Sequence, residues 1–358
     1  MDSPKEWPEP IVRVQHLSDS GMVTIPHQYI KLPTDRPVMN GGQVSEFNIP
    51  LIDLHDLASD DSARRATTMN QISEACRRWG FFQVVNHGIS PQLMDVARDV
   101  WYQFFHLPKE VKEVYASLPV TYEGYGSRLG VQKGAILDWN DFYFLHYLPA
   151  SLKDHNKWPA LPLSLREVIE EYGAQVVSLC RVLMSVFSTN LGLDEEHLQK
   201  AFGGENAGAC LRVNFYPKCP QPDLTLGLSS HSDPGGLTIL LPDNQVTGLQ
   251  VRINNNWITV KPVPHAFIVN IGDQIQVISN AIYKSVEHRA VVNSLKERIS
   301  LAFFYNPKND LLIEPARELV TPERPALYTA MTFKEYRLFI RTRGPQGKSQ
   351  VESLTSPR

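Results

Sequence analysis

One stretch constrains this chain more than any other: Leu228-Ser-Ser-His231-Ser-Asp233-Pro-Gly-Gly-Leu-Thr-Ile-Leu. It sets an imidazole and a carboxylate two residues apart, then a tight turn, then an apolar strand. In extended backbone, residues i and i+2 point to the same side, so His231 and Asp233 can grip one ion together. A third ligand lies far downstream at His288, in the β-rich run Ser285-Val-Glu-His288-Arg-Ala-Val-Val. Two histidines and one carboxylate with positions left open match the facial triad of non-haem Fe(II) sites. The fold must therefore bring distant strands together around a metal.

Ten residues beyond His288 comes Arg298-Ile-Ser300, heading the apolar strand Leu301-Ala-Phe-Phe-Tyr305. Sharing one face, Arg298 and Ser300 form a guanidinium and hydroxyl clamp suited to a carboxylate. Oxygen activation at a single iron needs electrons beyond those taken from a substrate C–H bond. A 2-oxo acid supplies them as it is decarboxylated. The expected set is Fe(II) on His231, Asp233 and His288, 2-oxoglutarate on Arg298 and Ser300, O2 as oxidant, and ascorbate as reductant. The strand Cys210-Leu-Arg-Val-Asn-Phe-Tyr216 puts Arg212, Asn214 and Tyr216 on the face opposite Leu211, Val213 and Phe215. A polar stripe on one side of such a strand argues for a ligand-filled interior. An arginine there needs an anion, which makes Arg212 a candidate substrate contact. Phe304 shares the face of Arg298 and Ser300 and can form an apolar wall. Arg337 and Arg341, one helical turn apart beside Phe333, are further candidates for a carboxylate.

At 358 residues with a net charge of −3, the chain gives no electrostatic reason to expect nucleic acid or an anionic membrane surface as partner. No apolar run approaches a transmembrane span, and Met1-Asp-Ser-Pro-Lys-Glu lacks the look of a signal peptide. Cys76, Cys180, Cys210 and Cys219 show no C-x-x-C spacing and read as reduced thiols. A cytoplasmic or nuclear protein without membrane contact is the expectation. No feature specifies an oligomeric state.

In chain order, residues 1–46 read as a wrapping arm and Ile49–Leu54 as a short strand. Helical periodicity covers about Ser62 to Trp79 and about Pro91 to Phe105, with the strand Phe81–Val85 between them. A short helix reaches Tyr115, and the aromatic stretch 116–160 reads as loop. Ser164-Leu-Arg-Glu167 looks like a capping box opening the longest helix, and Thr332-Phe-Lys-Glu335 like one opening a helix through Arg341. From Cys210 short period-2 strands follow one another, including 274–279 and 285–292. About eight such strands suggest a double-sheet jelly roll. The fold class expected is α+β: a double-stranded β-helix (jelly-roll) core flanked by N-terminal helices and a C-terminal helix. We place an N-terminal region at 1–160, a support helix with the jelly-roll core and closing helix at 161–343, and a polar, mobile tail at 344–358.

With those residues in view, the chain resembles the plant 2-oxoglutarate- and Fe(II)-dependent dioxygenases over nearly its whole length. The shared motifs are Ile49-Pro-Leu-Ile-Asp-Leu54, Trp79-Gly-Phe-Phe-Gln-Val-Val-Asn-His-Gly88, Asn214-Phe-Tyr-Pro217, His231-Ser-Asp233, Gly272-Asp273 and Arg298-Ile-Ser300. The resemblance implies that Asn214 and Tyr216 lie by the metal end of the cosubstrate. Within the family the chain is similar to the jasmonate-induced oxygenases, through Glu6-Trp-Pro-Glu-Pro, Thr121-Tyr-Glu-Gly-Tyr-Gly-Ser-Arg and Tyr336-Arg-Leu-Phe-Ile-Arg-Thr342. That likeness implies hydroxylation of jasmonic acid to 12-hydroxyjasmonate, which lowers active hormone and damps defence. It also implies that Arg212 and Arg337, with Arg341 nearby, bind the substrate carboxylate, while Phe144 and Phe304 pack on its apolar body.

The nearest rival is a flavonoid oxygenase of the anthocyanidin synthase and flavonol synthase type, whose substrates carry no carboxylate. A zinc hydrolase could use the same three ligands but has no use for Arg298 and Ser300. A catalytically silent hormone-binding module would keep the pocket alone.

Overall fold

The computed structural model describes residues 6–37, 48–344 and 347–355. The helices are α1 (Val14–Asp19), α2 (Ser62–Arg78), α3 (Pro91–Phe105), α4 (Lys109–Glu113), α5 (Leu165–Asn190), α6 (His197–Ala201), α7 (Asp273–Ile278), α8 (Phe333–Arg343) and α9 (Ser349–Ser353). The strands are β1 (Leu51–Asp53), β2 (Phe81–Val85), β3 (Gly124–Gly126), β4 (Asp141–Leu148), β5 (Gly208–Tyr216), β6 (Leu228–His231) and β7 (Leu237–Leu241). They continue as β8 (Leu249–Ile253), β9 (Asn256–Thr259), β10 (Phe267–Ile271), β11 (His288–Ala290), β12 (Arg298–Asn306), β13 (Leu312–Ile313) and β14 (Met331–Thr332).

The larger sheet runs β1-β2-β10-β7-β12-β5-β4-β3, and the smaller one β6-β11-β8-β9. These two sheets form the expected jelly roll. Strands from both sides of residue 160 join the larger sheet, so the N-terminal region shares the core with the rest. The residues that face outward from this sheet are apolar: Leu211, Val213 and Phe215 on β5, Ile299, Leu301 and Phe303 on β12, Leu237, Ile239 and Leu241 on β7. They pack against α3 and α5, whose own stripes include Trp101, Phe104, Tyr172, Val176 and Leu183. Alternate residues of the same strands must then point away from the helices, into the roll. This alternation aims the site residues inward.

The arm folds back as expected over its described part. Val14, Ile25 and Tyr29 pack with Trp139 and Cys219, and Arg13 pairs with Glu113 at 2.8 Å. Residues 38–46 of the arm lie outside the described residues. The C-terminal capping box forms: Glu335 N donates to Thr332 Oγ1 at 3.3 Å, and Thr332 N donates to Glu335 Oε2 at 3.1 Å. At the start of α5, by contrast, Ser164 makes no side-chain cap bond.

Four expectations are corrected. The stretch 116–160 is not all loop, because it contains β3 and β4. Both faces of β4 are aromatic: Tyr143, Leu145 and Tyr147 belong to the helix-side core, while Phe142 and Phe144 line the interior. A strand with apolar side chains on both faces, one in the core and the other lining a cavity, shows no apolar-polar alternation to read. Residues 274–279 are not a strand but helix α7, all of it buried. Its polar side chains, which mimic alternation, are satisfied by distant partners: Gln274 donates to Pro234 O at 2.8 Å and Gln276 to Tyr328 Oη at 2.9 Å. The strand expected at 285–292 is only His288–Ala290. The tail is packed rather than free over 347–355: Val351 is fully buried, and Thr329 N donates to Leu354 O at 2.9 Å. Among the described residues, no helix is long and apolar enough to cross a membrane.

Candidate active site

His231 ends β6 and His288 begins β11, and the register pairs them directly across the smaller sheet. Asp233 follows β6 at the turn into Pro234. The ligand atoms of the three residues all lie within 4.8 Å of one another. Nε2 of His231 and of His288 stand 3.5 and 3.6 Å from Asp233 Oδ1.

The outer atoms of each ligand are held by the protein. His231 Nδ1 bonds Ser229 O at 2.8 Å and His288 Nδ1 bonds Val286 O at 3.1 Å. That leaves both Nε2 atoms as donors of lone pairs to a metal. Asp233 Oδ2 accepts from Thr238 Oγ1 at 2.6 Å and from Asn270 Nδ2 at 2.7 Å, so only Oδ1 is presented inward. An N,N,O donor set on one side with space opposite fits a facial Fe(II) site. Burial raises the Asp233 carboxyl, but the His288 and His231 rings and Thr238 outweigh it, and the net shift is well below the usual carboxylate range. Burial, then the neighbouring His231, lowers His288 to about 4. For His231 burial is outweighed by the Asp233 carboxylate and the net shift is upward. The site therefore carries a carboxylate and at least one neutral imidazole ready to ligate.

The antiparallel register of β12 on β5 builds the second part. Arg298 lies opposite Tyr216, Ser300 opposite Asn214, Ala302 opposite Arg212, and Phe304 opposite Cys210. Arg298 is buried, its guanidinium stands 4.9 Å over the Tyr216 ring, and its Nε and Nη1 have no protein partner. A buried guanidinium with idle donors in a fork is suited to a carboxylate from outside the chain. Space for it depends on Gly248, where a Cβ would come within 2.9 Å of Arg298 Cδ and 3.0 Å of Val291 O. The residues thus fit 2-oxoglutarate, with Ser300 and Asn214 lining the same cavity.

The cavity, about 220 Å³, is also lined by the apolar side chains of Phe142, Phe144, Leu240, Phe304 and Phe333. Arg212 crosses this wall. Its guanidinium lies 4.0 Å over the Phe142 ring, its Nε donates to Asn214 Oδ1 at 2.7 Å, and its Nη2 is buried without a partner. Desolvation pulls it down to about 10. From α8, Arg337 and Arg341 line the same space. Arg337 lies 5.8 Å over Phe333 and Arg341 5.3 Å over Tyr122. Burial lowers both, Arg341 to about 10 with Arg337 adding to the effect. No carboxylate pairs with these three arginines among the described residues.

Every residue proposed from the sequence as a metal, cosubstrate or substrate contact lines this one cavity. Sequence reasoning missed Thr238 and Asn270, which orient Asp233, and Phe142, which supports Arg212. Asn270 had a visible signal, an amide in the otherwise apolar strand Phe-Ile-Val-Asn-Ile.

The comparisons with known proteins agree with this geometry. The 2OG-Fe(II) oxygenase superfamily matches residues 207–307, and the N-terminal family described as non-haem dioxygenase in morphine synthesis matches residues 49–161. Jasmonate-induced oxygenase 2 of Arabidopsis thaliana is 64% identical over 99% of this chain and 95% of its own length. Jasmonate-induced oxygenase 1 of the same plant is 63% identical over 99% of this chain and 88% of its own length. Among solved structures, JOX2 in complex with 2OG, Fe and JA superposes with a TM-score of 0.92 at 64% identity, covering 98% of this chain and 100% of that one.

Proposed function

We propose, from the premise that this chain belongs to the 2-oxoglutarate- and Fe(II)-dependent oxygenase superfamily, that it hydroxylates jasmonic acid to 12-hydroxyjasmonate and so lowers active jasmonate. It is a 2-oxoglutarate-dependent dioxygenase. We assign the metal to His231, Asp233 and His288, and the cosubstrate to Arg298, Ser300, Asn214 and Tyr216. The carboxylate of the substrate goes to Arg212 and Arg337, with Arg341 behind them, and its apolar body to Phe144 and Phe304. Iron and 2-oxoglutarate, when bound, couple loss of CO2 and formation of succinate to delivery of one atom of O2 into a substrate C–H bond.

The chain's own residues contribute geometry. Thr238 and Asn270 keep Asp233 facing inward through a single oxygen. Arg298 binds the far carboxylate of the cosubstrate and so sets its reach toward the metal. Arg212 on β5 and Arg337 on α8 approach from two elements, which fixes one end of the substrate and aims the other. Phe142, Phe144, Phe304 and Phe333 keep water from the reacting carbon.

The observation that carries the substrate reading is the Arg212 guanidinium, which has no counter-ion among the described residues and a buried, idle Nη2, in the cavity next to the triad. A flavonoid would leave that charge unanswered. Cytoplasmic residence is part of the same proposal, supported by four unpaired, buried cysteines.

The test is aerobic turnover of jasmonic acid with Fe(II), 2-oxoglutarate and ascorbate, following product mass and succinate together. Gain of one oxygen with matching succinate is the expected result. Succinate with unmodified jasmonic acid would overturn the substrate, and absence of both products from iron-loaded protein would overturn the activity.

A further inference from the structure

We infer that Tyr336 is a positioning residue that, through the buried carboxylate of Asp273, holds the arginine-bearing helix α8 in register with the metal ligands. The inference rests on the substrate role proposed for Arg337, its neighbour in sequence. Tyr336 is 1% exposed, and its hydroxyl donates to Asp273 Oδ2 at 2.6 Å. The same oxygen accepts from Ser232 Oγ at 3.1 Å, and Ser232 is the residue between His231 and Asp233. Asp273 N donates to Asp233 O at 2.8 Å, so one residue clasps both the ligand turn and α8. Both side-chain bonds of the clasp fall on Oδ2, so it is the atom on which the clasp depends.

The chain after α8 reinforces this contact. Gly347 N donates to Ser230 O at 2.9 Å, and Ser232 N donates to Gly347 O at 3.2 Å, so the backbone lies alongside the His231 strand. Gln350 Nε2 then reaches back to Tyr336 O at 2.5 Å. Elsewhere α8 is tied at its first turn by the Thr332–Glu335 cap, and near its end by Tyr122 Oη donating to Arg341 O at 2.8 Å. Neither of those ties refers the helix to the metal ligands. Tyr336 does.

The consequence is functional. Arg337 decides where the substrate carboxylate sits, and the reacting carbon lies at the other end of the substrate. A displacement of about 1 Å at a positioning group can cost about a hundredfold in rate. If α8 loses its register, the cosubstrate still binds through Arg298 and is still consumed, but the C–H bond is misplaced. Succinate then forms without hydroxylated product.

Tyr336→Phe removes the hydroxyl and keeps the ring. Hydrogen exchange of amides over 333–343 should quicken while β5 and β12 stay as in the parent protein. Anaerobic calorimetry of jasmonic acid against enzyme loaded with Fe(II) and 2-oxoglutarate should show about tenfold weaker binding, the loss of one charge-assisted bond's worth of order. The ratio of succinate to hydroxylated product should rise about threefold or more, while the KM for 2-oxoglutarate stays within about twofold. Unchanged exchange over 333–343 overturns the inference, whatever the substrate proves to be. A uniform loss of activity, with ratio and jasmonic acid affinity unaltered, also overturns it. Failure of the parent enzyme to oxidise jasmonic acid would instead sink the substrate assignment, and the exchange measurement would still judge the clasp.

Discussion

Replacing Arg212 by Met should separate stability from binding, leaving the first nearly unchanged and weakening the second. The guanidinium stacks on Phe142 at 4.0 Å, bonds only the neutral Asn214 oxygen, and has a buried, idle Nη2. Desolvation brings it from 12.5 to about 10, so the folded chain disfavours the charge. At 1.36 kcal/mol per unit, that amounts to about 3 kcal/mol held against folding. Methionine has similar reach, can pack on the same ring, and removes that cost. It leaves Asn214 Oδ1 unpaired, which costs about 1–3 kcal/mol. The two nearly cancel, so ligand-free stability in urea should stay within about 2 kcal/mol of the parent or rise. Jasmonic acid, by contrast, loses a buried charge partner worth about 2–5 kcal/mol, or roughly 30- to several-thousand-fold in Kd. Urea unfolding without ligand and anaerobic calorimetry with jasmonic acid measure the two halves separately. A stability loss above about 3 kcal/mol with unchanged jasmonic acid affinity would refute the reasoning, because Arg212 would then be a structural cation.

Other consequences are equally direct. Arg298→Lys keeps the charge but loses the fork, so the KM for 2-oxoglutarate should rise about 10- to 100-fold; steady-state succinate release measures it, and an unchanged KM would remove Arg298 from the cosubstrate site. Thr238→Val deletes the 2.6 Å bond to Asp233 Oδ2 and leaves Asn270 alone to orient it. Fe(II) affinity should fall about tenfold or more in a direct metal titration, and a Kd within about twofold of the parent would contradict the role. At the surface, the Glu297 carboxylate hydrogen-bonds His106 at 2.9 Å and holds it above its ordinary 6.5, whereas burial of Glu297 is outweighed by His106 and Tyr102 and its own value lies below 4.5. The His106 contribution is therefore full below 6.5 and lost as pH rises through the raised value, and the Glu297 contribution is lost as pH falls below 4.5. The stability difference between the parent and His106→Gln should shrink on the alkaline side; a difference independent of pH would contradict the pairing.

Much of the site was legible in sequence because strand periodicity is local. Residues two apart share a face, so strand periodicity alone groups His231 with Asp233, Arg298 with Ser300, and Arg212 with Asn214 and Tyr216. Helices α2, α3 and α5 were equally plain, each carrying an apolar stripe over many turns. The failures share one physical cause. In β4 both faces carry apolar side chains, one set in the core and the other lining the cavity, and in α7 polar side chains are satisfied by partners far away in sequence, so local patterning no longer reports the environment.

Local sequence dictates the chemistry on offer: which side chains can ligate, clamp or line, and which of them must point the same way. How those sets meet is a property of the closed fold. The β6–β11 register puts His231 opposite His288, and the β12–β5 register puts Ser300 opposite Asn214 and Ala302 opposite Arg212. The docking of α8 and residues 347–355 brings Arg337 to the cavity and Tyr336 to Asp273. Those contacts join residues separated by tens to hundreds of positions. Their energies come from burial and pairing that exist only after the chain has closed on itself, so no local pattern records them.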